Sequence, residues 1–345
     1  MLGRVARLHY EHGFTHQQIA DTLGLSRVKV TRLLAEARRV GVVEIRIHSD
    51  ESIFTDLEVA IRDRYGLQQA WVAPTFKARD RLLQSIGTVG ATALQAAIHP
   101  GMTVAVGLSE TVAAVAPHVK VDEASATLFV PATGIRLGSR ETVRPQDVAH
   151  DLARAFKGQT RQLPAPVLAS SEESARLLRQ EPDIAATLEL ARNADIALFG
   201  IGGTIPGAGM IMDGTVPQGT IRELVGAGAV GGISAGFYDA TGTPVVTSLA
   251  RRIIGLSLGE LLGVPTRIAV AGGPDKHEAI LGAIRGGYIT VLVTDEATAR
   301  YLTERTDSAE DAPADDARTT ASGGTGPSPT TGAAPEAREP AAGTP

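Results

Sequence analysis

Thr15-His-Gln-Gln-Ile-Ala-Asp-Thr-Leu-Gly-Leu-Ser-Arg-Val-Lys-Val-Thr-Arg-Leu-Leu-Ala-Glu-Ala-Arg-Arg39 is the stretch that decides the architecture. Thr15 is placed to cap a short helix, with Gln18 three residues on as its capping-box partner. Ile19, Ala20 and Leu23 give that helix one apolar face, and Gly24 supplies the backbone freedom for a sharp turn. Leu25 plugs the corner. Ser26 caps a second helix, in which Val30, Leu33, Leu34 and Ala37 recur at helical spacing. The pattern predicts a helix-turn-helix whose second helix presents basic and hydrogen-bonding groups outward, as a reader of the DNA major groove requires. The expected DNA-contacting residues are Thr15, Gln17, Ser26, Arg27, Lys29, Val30, Thr31 and Arg32. The competing reading is a plain helical hairpin with a solvated basic face.

Around this motif the chain is long enough for two domains. It has 345 residues, 43% of them hydrophobic. Aromatic residues are only 4%, which argues against single-strand binding through stacked bases. The absence of cysteine excludes disulfides, thiol catalysis and zinc fingers. No apolar run approaches a membrane span of about 18 residues, and no secretory signal pattern opens the sequence, so a cytoplasmic location is expected. The net charge of −5 is unevenly placed. Residues 1–50 hold 8 Lys/Arg against 5 Asp/Glu, whereas residues 306–345 hold 2 Arg against 7 Asp/Glu. The N-terminal segment thus carries the local positive charge that phosphate contact needs.

Residues 2–12 read as a first helix packing on the motif through Val5 and Leu8. After Gly41, residues 42–48 alternate like a half-buried strand, the wing of a winged helix, from which Arg46 and His48 reach phosphates or merely close the domain. Residues 51–66 read as a connector helix. Residues 67–304 alternate strands and helices. Strands are expected at 70–73, 103–106, 126–130, 195–199, 267–271 and 289–293, and helices at 79–98, 110–118, 145–157, 218–226, 274–284 and 296–303, with two more within 171–193. That rhythm implies a parallel sheet covered by helices. The fold class is therefore α/β: a winged helix-turn-helix on residues 1–50 and a larger parallel-sheet domain. Residues 305–345 are too polar and Pro/Gly-rich to offset ordering, and are expected to be disordered.

Ligands of open parallel sheets sit beyond the carboxyl ends of the strands. Three loops there have suitable chemistry. Gly107-Leu-Ser-Glu-Thr111 offers Ser109 and Thr111 at a helix start, as a phosphate cradle or a simple cap, with Glu110 beside them as an acceptor for sugar hydroxyls. Gly200-Ile-Gly-Gly-Thr204 permits close backbone approach at Gly202 or forms a structural turn. Ala271-Gly-Gly-Pro-Asp-Lys276 places Lys276 at the positive end of a helix, a conflict that either a bound phosphate or Asp275 would relieve. Asp239 is a ligand candidate or a turn residue.

These residues together resemble the SorC/DeoR family of bacterial sugar-responsive transcription regulators, over nearly all of residues 4–303. The motifs that carry the resemblance are Gln18-Ile-Ala-Asp with Leu-Gly-Leu-Ser-Arg and Val-Thr-Arg-Leu-Leu34, Ala194-Asp-Ile-Ala-Leu-Phe-Gly-Ile-Gly202, and Ile268-Ala-Val-Ala-Gly-Gly with Lys276 and Thr294-Asp-Glu-Ala297. The resemblance implies a C-terminal domain akin to sugar-phosphate isomerases, retuned for a sugar or sugar-phosphate effector, and a tetramer of dimers. Relatives carry Trp and a second Gly in the loop that here reads Gly107-Leu-Ser-Glu-Thr111, and an acidic residue where Gly232 stands. The expected partners are a double-stranded DNA operator, a sugar or sugar-phosphate effector and further copies of the chain, with no metal, cofactor or membrane. The rival function is a sugar-phosphate isomerase with an attached DNA-binding domain, for which Glu110 and Asp239 are the nominated carboxylates.

Overall fold

The computed structural model describes residues 1–10, 12–43, 53–135, 145–203, 218–234 and 236–305. The chain divides into two compact units, Met1–Ile53 and Phe54–Pro345.

In the first unit, α1 (Leu2–Tyr10), α2 (His16–Leu23) and α3 (Arg27–Arg39) enclose Val5, Ile19, Ala20, Val30 and Leu34. The expected caps form. Thr15 Oγ1 accepts from the Gln18 amide while Gln18 Oε1 accepts from the Thr15 amide. Gly24 ends α2 in the left-handed region at φ 63°, and Ser26 Oγ accepts from the Lys29 amide to open α3. Gly41 (φ 76°) ends the helical run beyond α3. Val42 and Val43 form a bend; the rest of the expected wing, with Arg46 and His48, lies outside the described residues, as does the tail from residue 306.

The second unit runs α4 (Thr55–Tyr65), β1 (Gln69–Ala73), α5 (Arg79–Ala97), β2 (Thr103–Val106), α6 (Glu110–Ala113), β3 (Leu128–Pro131), α7 (Pro145–Ala155), β4 (Gln159–Thr160), α8 (Glu172–Leu178), α9 (Pro182–Arg192), β5 (Ile196–Phe199), β6 (Gly202–Gly203), α10 (Gln218–Gly226), β7 (Ala229–Ile233), β8 (Gly236–Asp239), α11 (Ser248–Arg252), α12 (Leu258–Leu261), β9 (Thr266–Val270), α13 (His277–Arg285), β10 (Val291–Asp295) and α14 (Glu296–Glu304). Seven strands form one parallel sheet in the order β1-β10-β9-β5-β2-β3-β4. Successive residues of each strand face opposite layers. Ala105, Ala197, Phe199, Ala269 and Leu292 join the core under α4, α13 and α14. Val104, Ile196, Leu198, Ile268 and Val293 join the core under α5, α6 and α7. Burial on both faces is why these strands read as continuous apolar runs.

Three features depart from the sequence expectation. The helix expected to run to His118 stops after one turn and resumes as a 3-10 turn over Ala116–His118, because Pro117 has no N–H to continue it. A second, antiparallel sheet, β6-β7-β8, is present. Its glycine-rich strands carry little periodic signal, and a Cβ at Gly231 would lie 2.7 Å from Tyr238 Oη and 2.8 Å from Ala279 Cβ. Finally, the connector helix belongs to the sheet unit. Ile61 and Tyr65 of α4 are buried in its core, and Tyr65 Oη donates to the Leu302 carbonyl at 2.8 Å.

Ile61→Ala is therefore expected to destabilise the sheet unit by about 2–5 kcal/mol. A urea titration followed by circular dichroism checks it; an unchanged midpoint would mean that α4 is only a tether.

Candidate functional site

Two surfaces carry the chemistry. On the first unit, Arg27, Lys29, Thr31 and Arg32 are exposed on α3, and Thr15, Gln17 and Ser26 are exposed at the helix ends. Arg27, Lys29 and Arg32 make no ion pair among the described residues, so their charges face solvent. Gln17 Nε2 donates to Asp21 Oδ1 (2.9 Å). Thr31 Oγ1 bonds the Arg27 carbonyl at 3.1 Å and lies 3.2 Å from His16 Nδ1, a link that ties the face of α3 to the start of α2. Thr15 and Ser26 have their side-chain oxygens engaged in capping. Val30 corrects an expectation. It is fully buried between the helices and cannot touch a ligand, because the 3.6-residue period that packs Leu34 and Ala37 inward turns Val30 with them.

On the second unit the site is set by strand order. From β2 the chain crosses to β3 on one side, and from β5 it leads to β9 on the other. Adjacent strands that leave in opposite directions form a topological switch point, the place where open sheets bind ligands. All three loops singled out in the sequence lie there, on the neighbouring strands β2, β5 and β9. Gly107 N–H donates to the Leu198 carbonyl (2.8 Å). Thr111 Oγ1 donates to the Val270 carbonyl (2.5 Å), and Ser109 Oγ lies 2.6 Å from Thr111 Oγ1 and accepts from the Thr111 amide (3.2 Å). Gly200 sits so close that a Cβ would fall 2.0 Å from Ser109 Oγ. Gly202 is buried in β6, paired with Gly232. The Ser109 and Thr111 hydroxyls thus stitch loops together, and Thr111 is only 3% exposed.

The third loop is braced by Asp295, at the end of β10. Its Oδ1 accepts from the Gly273 amide (2.8 Å) and from Thr298 Oγ1 (2.6 Å), and its Oδ2 accepts from Thr75 Oγ1 (2.7 Å). Asp295 is fully buried, and the three donors satisfy its carboxylate. Gly273 adopts φ 96°, open only to glycine. Beyond it Lys276 stands at the cap position of α13, half-buried. Burial, then the like charge of Arg79, lower its pKa from 10.5 to about 8, against the opposing pull of Glu110 and Asp275. Arg79, at the start of α5, pairs with Glu110 (2.5 Å). The structure therefore gathers two cations and three tight turns at one place, with Glu110 engaged by Arg79. Next to Lys276, the His277 ring stacks on Tyr301 (centroids 4.0 Å apart), and burial lowers its pKa.

Sequence reasoning missed Arg79, Asp295 and Ser234. Ser234 turns the β7–β8 hairpin at φ 48°, and its Oγ lies 3.4 Å from where a Gly107 Cβ would be. The positions of these residues depend on contacts distant in sequence, although Asp295 stands inside the Thr294-Asp-Glu-Ala297 motif. Asp239 is not brought to the site. It lies against Gly282 of α13, where a Cβ would touch its carbonyl, six residues and about 9 Å along the helix axis from Lys276, which precedes the N-terminal end. Asp239 Oδ1 accepts from the Thr241 amide and hydroxyl and the Thr243 amide, so the carboxylate builds its own turn. Burial raises its pKa, but these bonds outweigh it and lower the pKa overall.

Asp295→Ala is expected to cost about 3 kcal/mol, since it leaves the buried Gly273 amide with Thr298 alone. Thermal melting of the full chain measures this. Asp295→Asn, which keeps one acceptor oxygen, is expected to recover most of the loss.

Comparison with known proteins follows the same division. Residues 51–304 match the sugar-binding domain family Sugar-bind, and residues 3–69 match the Crp-like helix-turn-helix domain. The transcriptional regulator LsrR of Klebsiella pneumoniae is 32% identical over 306 residues, 88% of this chain and 92% of its own. The erythritol catabolism regulatory protein EryD of Brucella abortus is 30% identical over 301 residues, 87% of this chain and 95% of its own. The crystal structure of the full-length sorbitol operon regulator SorC from Klebsiella pneumoniae superimposes with a TM-score of 0.69 at 25% identity, covering 88% of this chain and 98% of that one. A DeoR family transcriptional regulator from Listeria monocytogenes gives 0.66 at 26% identity, covering 73% and 100%.

Proposed function

The chain belongs to the SorC/DeoR-type family of transcriptional regulators, which join a helix-turn-helix to a sugar-binding domain, and from that premise we propose that a phosphorylated sugar docks at the β2/β5 switch point and controls binding to an operator. The observation that carries this reading is the desolvated Lys276, held beside Arg79. Glu110 and Asp275 offset only part of the burial and repulsion that Lys276 meets, and an incoming anion would add the missing compensation. Gly107 and Gly273 in their loops, and Gly202 in β6, bring backbone close to the same ligand, with Ser109 and Thr111 fixing the loop at Gly107. Glu110 takes the sugar hydroxyls once the anion competes for Arg79.

No helix among the described residues is long and apolar enough to cross a membrane. A regulator of transcription works where the chromosome is, in the cytoplasm. Two copies of the chain, paired two-fold, place their α3 helices on half-sites about 34 Å apart or a multiple of that, and dimers associate into a tetramer. The effector shifts the population between DNA-competent and incompetent arrangements by binding them unequally.

We read the chain as a non-enzyme. Isomerisation needs a free base beside the carbonyl carbon. Glu110 is engaged by Arg79, and Asp239 is held in its own turn with a lowered pKa. A purified chain that interconverted aldose and ketose phosphates at enzymatic rates would restore the rival function.

The pH dependence follows from the sign of the Lys276 shift. Its folded pKa, about 8, lies below the ordinary lysine value of 10.5, so the charged lysine burdens the fold below pH 8 and stability rises as pH climbs from about 8 to 10.5. Binding behaves oppositely. A phosphoryl dianion forms above about pH 6, and affinity falls by about tenfold per pH unit above 8 as the lysine loses its proton. A thermal-shift series over sugars and sugar phosphates is expected to show stabilisation by the phosphates, greatest between about pH 6 and 8. Lys276→Met is expected to raise the melting temperature of the unliganded chain at pH 7 and to abolish the phosphate response, leaving DNA binding intact. An unaltered response would put the effector elsewhere.

On the DNA side, Arg32→Ala is expected to weaken operator binding by about 1–3 kcal/mol without changing the fold or effector affinity. Fluorescence anisotropy with a duplex checks this, and the wild-type affinity should fall steeply with salt through counterion release.

A further inference from the structure

The outer ridge of α3 carries an apolar group that the charges around it do not explain. Val28 is 64% exposed in the first turn of the recognition helix. The other large apolar residues exposed in the described part of this unit, Met1, Tyr10, Val40, Val42 and Ile53, lie outside α3. Val28 stands two residues before the buried Val30, about 200° around the helix, and so points away from the core. Val28, Arg32 and Ala35 follow one another at i, i+4 and i+7 spacing, and all three are exposed. This ridge lies opposite Val30, Leu34 and Ala37, which are buried. Arg27 and Lys29 flank it.

A solvent-facing site in the first turn gains nothing from valine. A β-branched residue forms helix less readily than lysine or glutamate, and it exposes apolar surface. In the major groove the balance changes. The thymine C5-methyl is the apolar group displayed on the base edges there, and small aliphatic side chains are its natural partners. The ridge fits that use. Ala35 is small enough for the helix to lie deep, Arg32 reaches past it, and Val28 is too short to meet anything but a nearby methyl.

We propose that Val28 reads the C5-methyl of one thymine in each operator half-site, making it a specificity-determining residue of α3. This rests on the DNA-binding function and goes further, since it names a base and the atom by which that base is recognised. The test begins with full-length protein and a randomised duplex library, from which a binding sequence is selected. Each thymine of the selected duplex is then replaced singly by deoxyuridine, which removes only the methyl. Wild-type affinity is expected to fall about fourfold at one thymine per half-site, the effect of one methyl no longer taken out of water. Val28→Ala should be insensitive to that same replacement, whereas Arg32→Ala should retain the fourfold difference although its affinity is lower throughout. Because Val28 is exposed, its variant is expected to melt with the wild type. Uniform tolerance of deoxyuridine by the wild type would overturn the assignment, and so would a Val28→Ala variant that still distinguishes the two duplexes. Failure to recover any preferred duplex would overturn both this inference and the sequence-specific reading beneath it.

Discussion

Strand order governs the larger unit. β2 and β5 lie side by side but hand the chain on in opposite directions, which sets a topological switch point at their carboxyl ends. Everything at that end is arranged to keep the gap narrow and stiff. Thr111 crosses from the β2 loop to the Val270 carbonyl, Ser109 backs Thr111, and Gly200 is reduced to bare backbone to let them pass. Without that close approach the three loops would be independent turns. With it they are one rim, on which a cation is held partly out of solvent.

Burial then decides the electrostatics. Asp295 and Lys276 are both charged groups near the same loop, and they meet opposite fates. Asp295 is fully enclosed but has three donors, so it acts as a strut for Gly273. Lys276 has nearby charges of both signs, and desolvation leads the shift of its pKa to about 8. A buried charge whose hydrogen bonds are all made is tolerated by the fold, whereas one shifted toward neutrality marks a place where an incoming group improves the balance. The same contrast separates Glu110, held by Arg79 at the rim, from Asp239, spent on its own turn further along α13.

The helix-turn-helix works by a different economy. Its core is small, with Val5, Ile19, Ala20, Val30 and Leu34 at its centre, and its helices are short. Helices of that length are marginal alone, so the caps at Thr15, Gly24 and Ser26 matter beyond their individual strengths. They fix where α3 begins, and therefore which residues of its first turn face outward.

The sequence by itself determined what depends on spacing along the chain. Caps lie three residues from their partners, apolar faces repeat every three or four residues, and buried strands are short apolar runs, so the motif, the six longer strands of the parallel sheet and its longer helices were legible within a few residues, whereas the two-residue edge strand β4, the glycine-rich β6, β7 and β8 and the short helices α11 and α12 were not. The inward turn of Val30 was legible too, from the same period as Leu34 and Ala37. What only the tertiary structure decided depends on strand order and long-range approach. That covers the convergence of the β2, β5 and β9 loops, the pairing of Arg79 with Glu110 31 residues away, the bracing of Gly273 by Asp295, the glycine-built second sheet and the docking of α4 onto the sheet core. A sequence states which residues can be neighbours within a turn or a strand; which strands lie side by side is settled by how the apolar faces of the whole sheet are covered, and no local pattern encodes that.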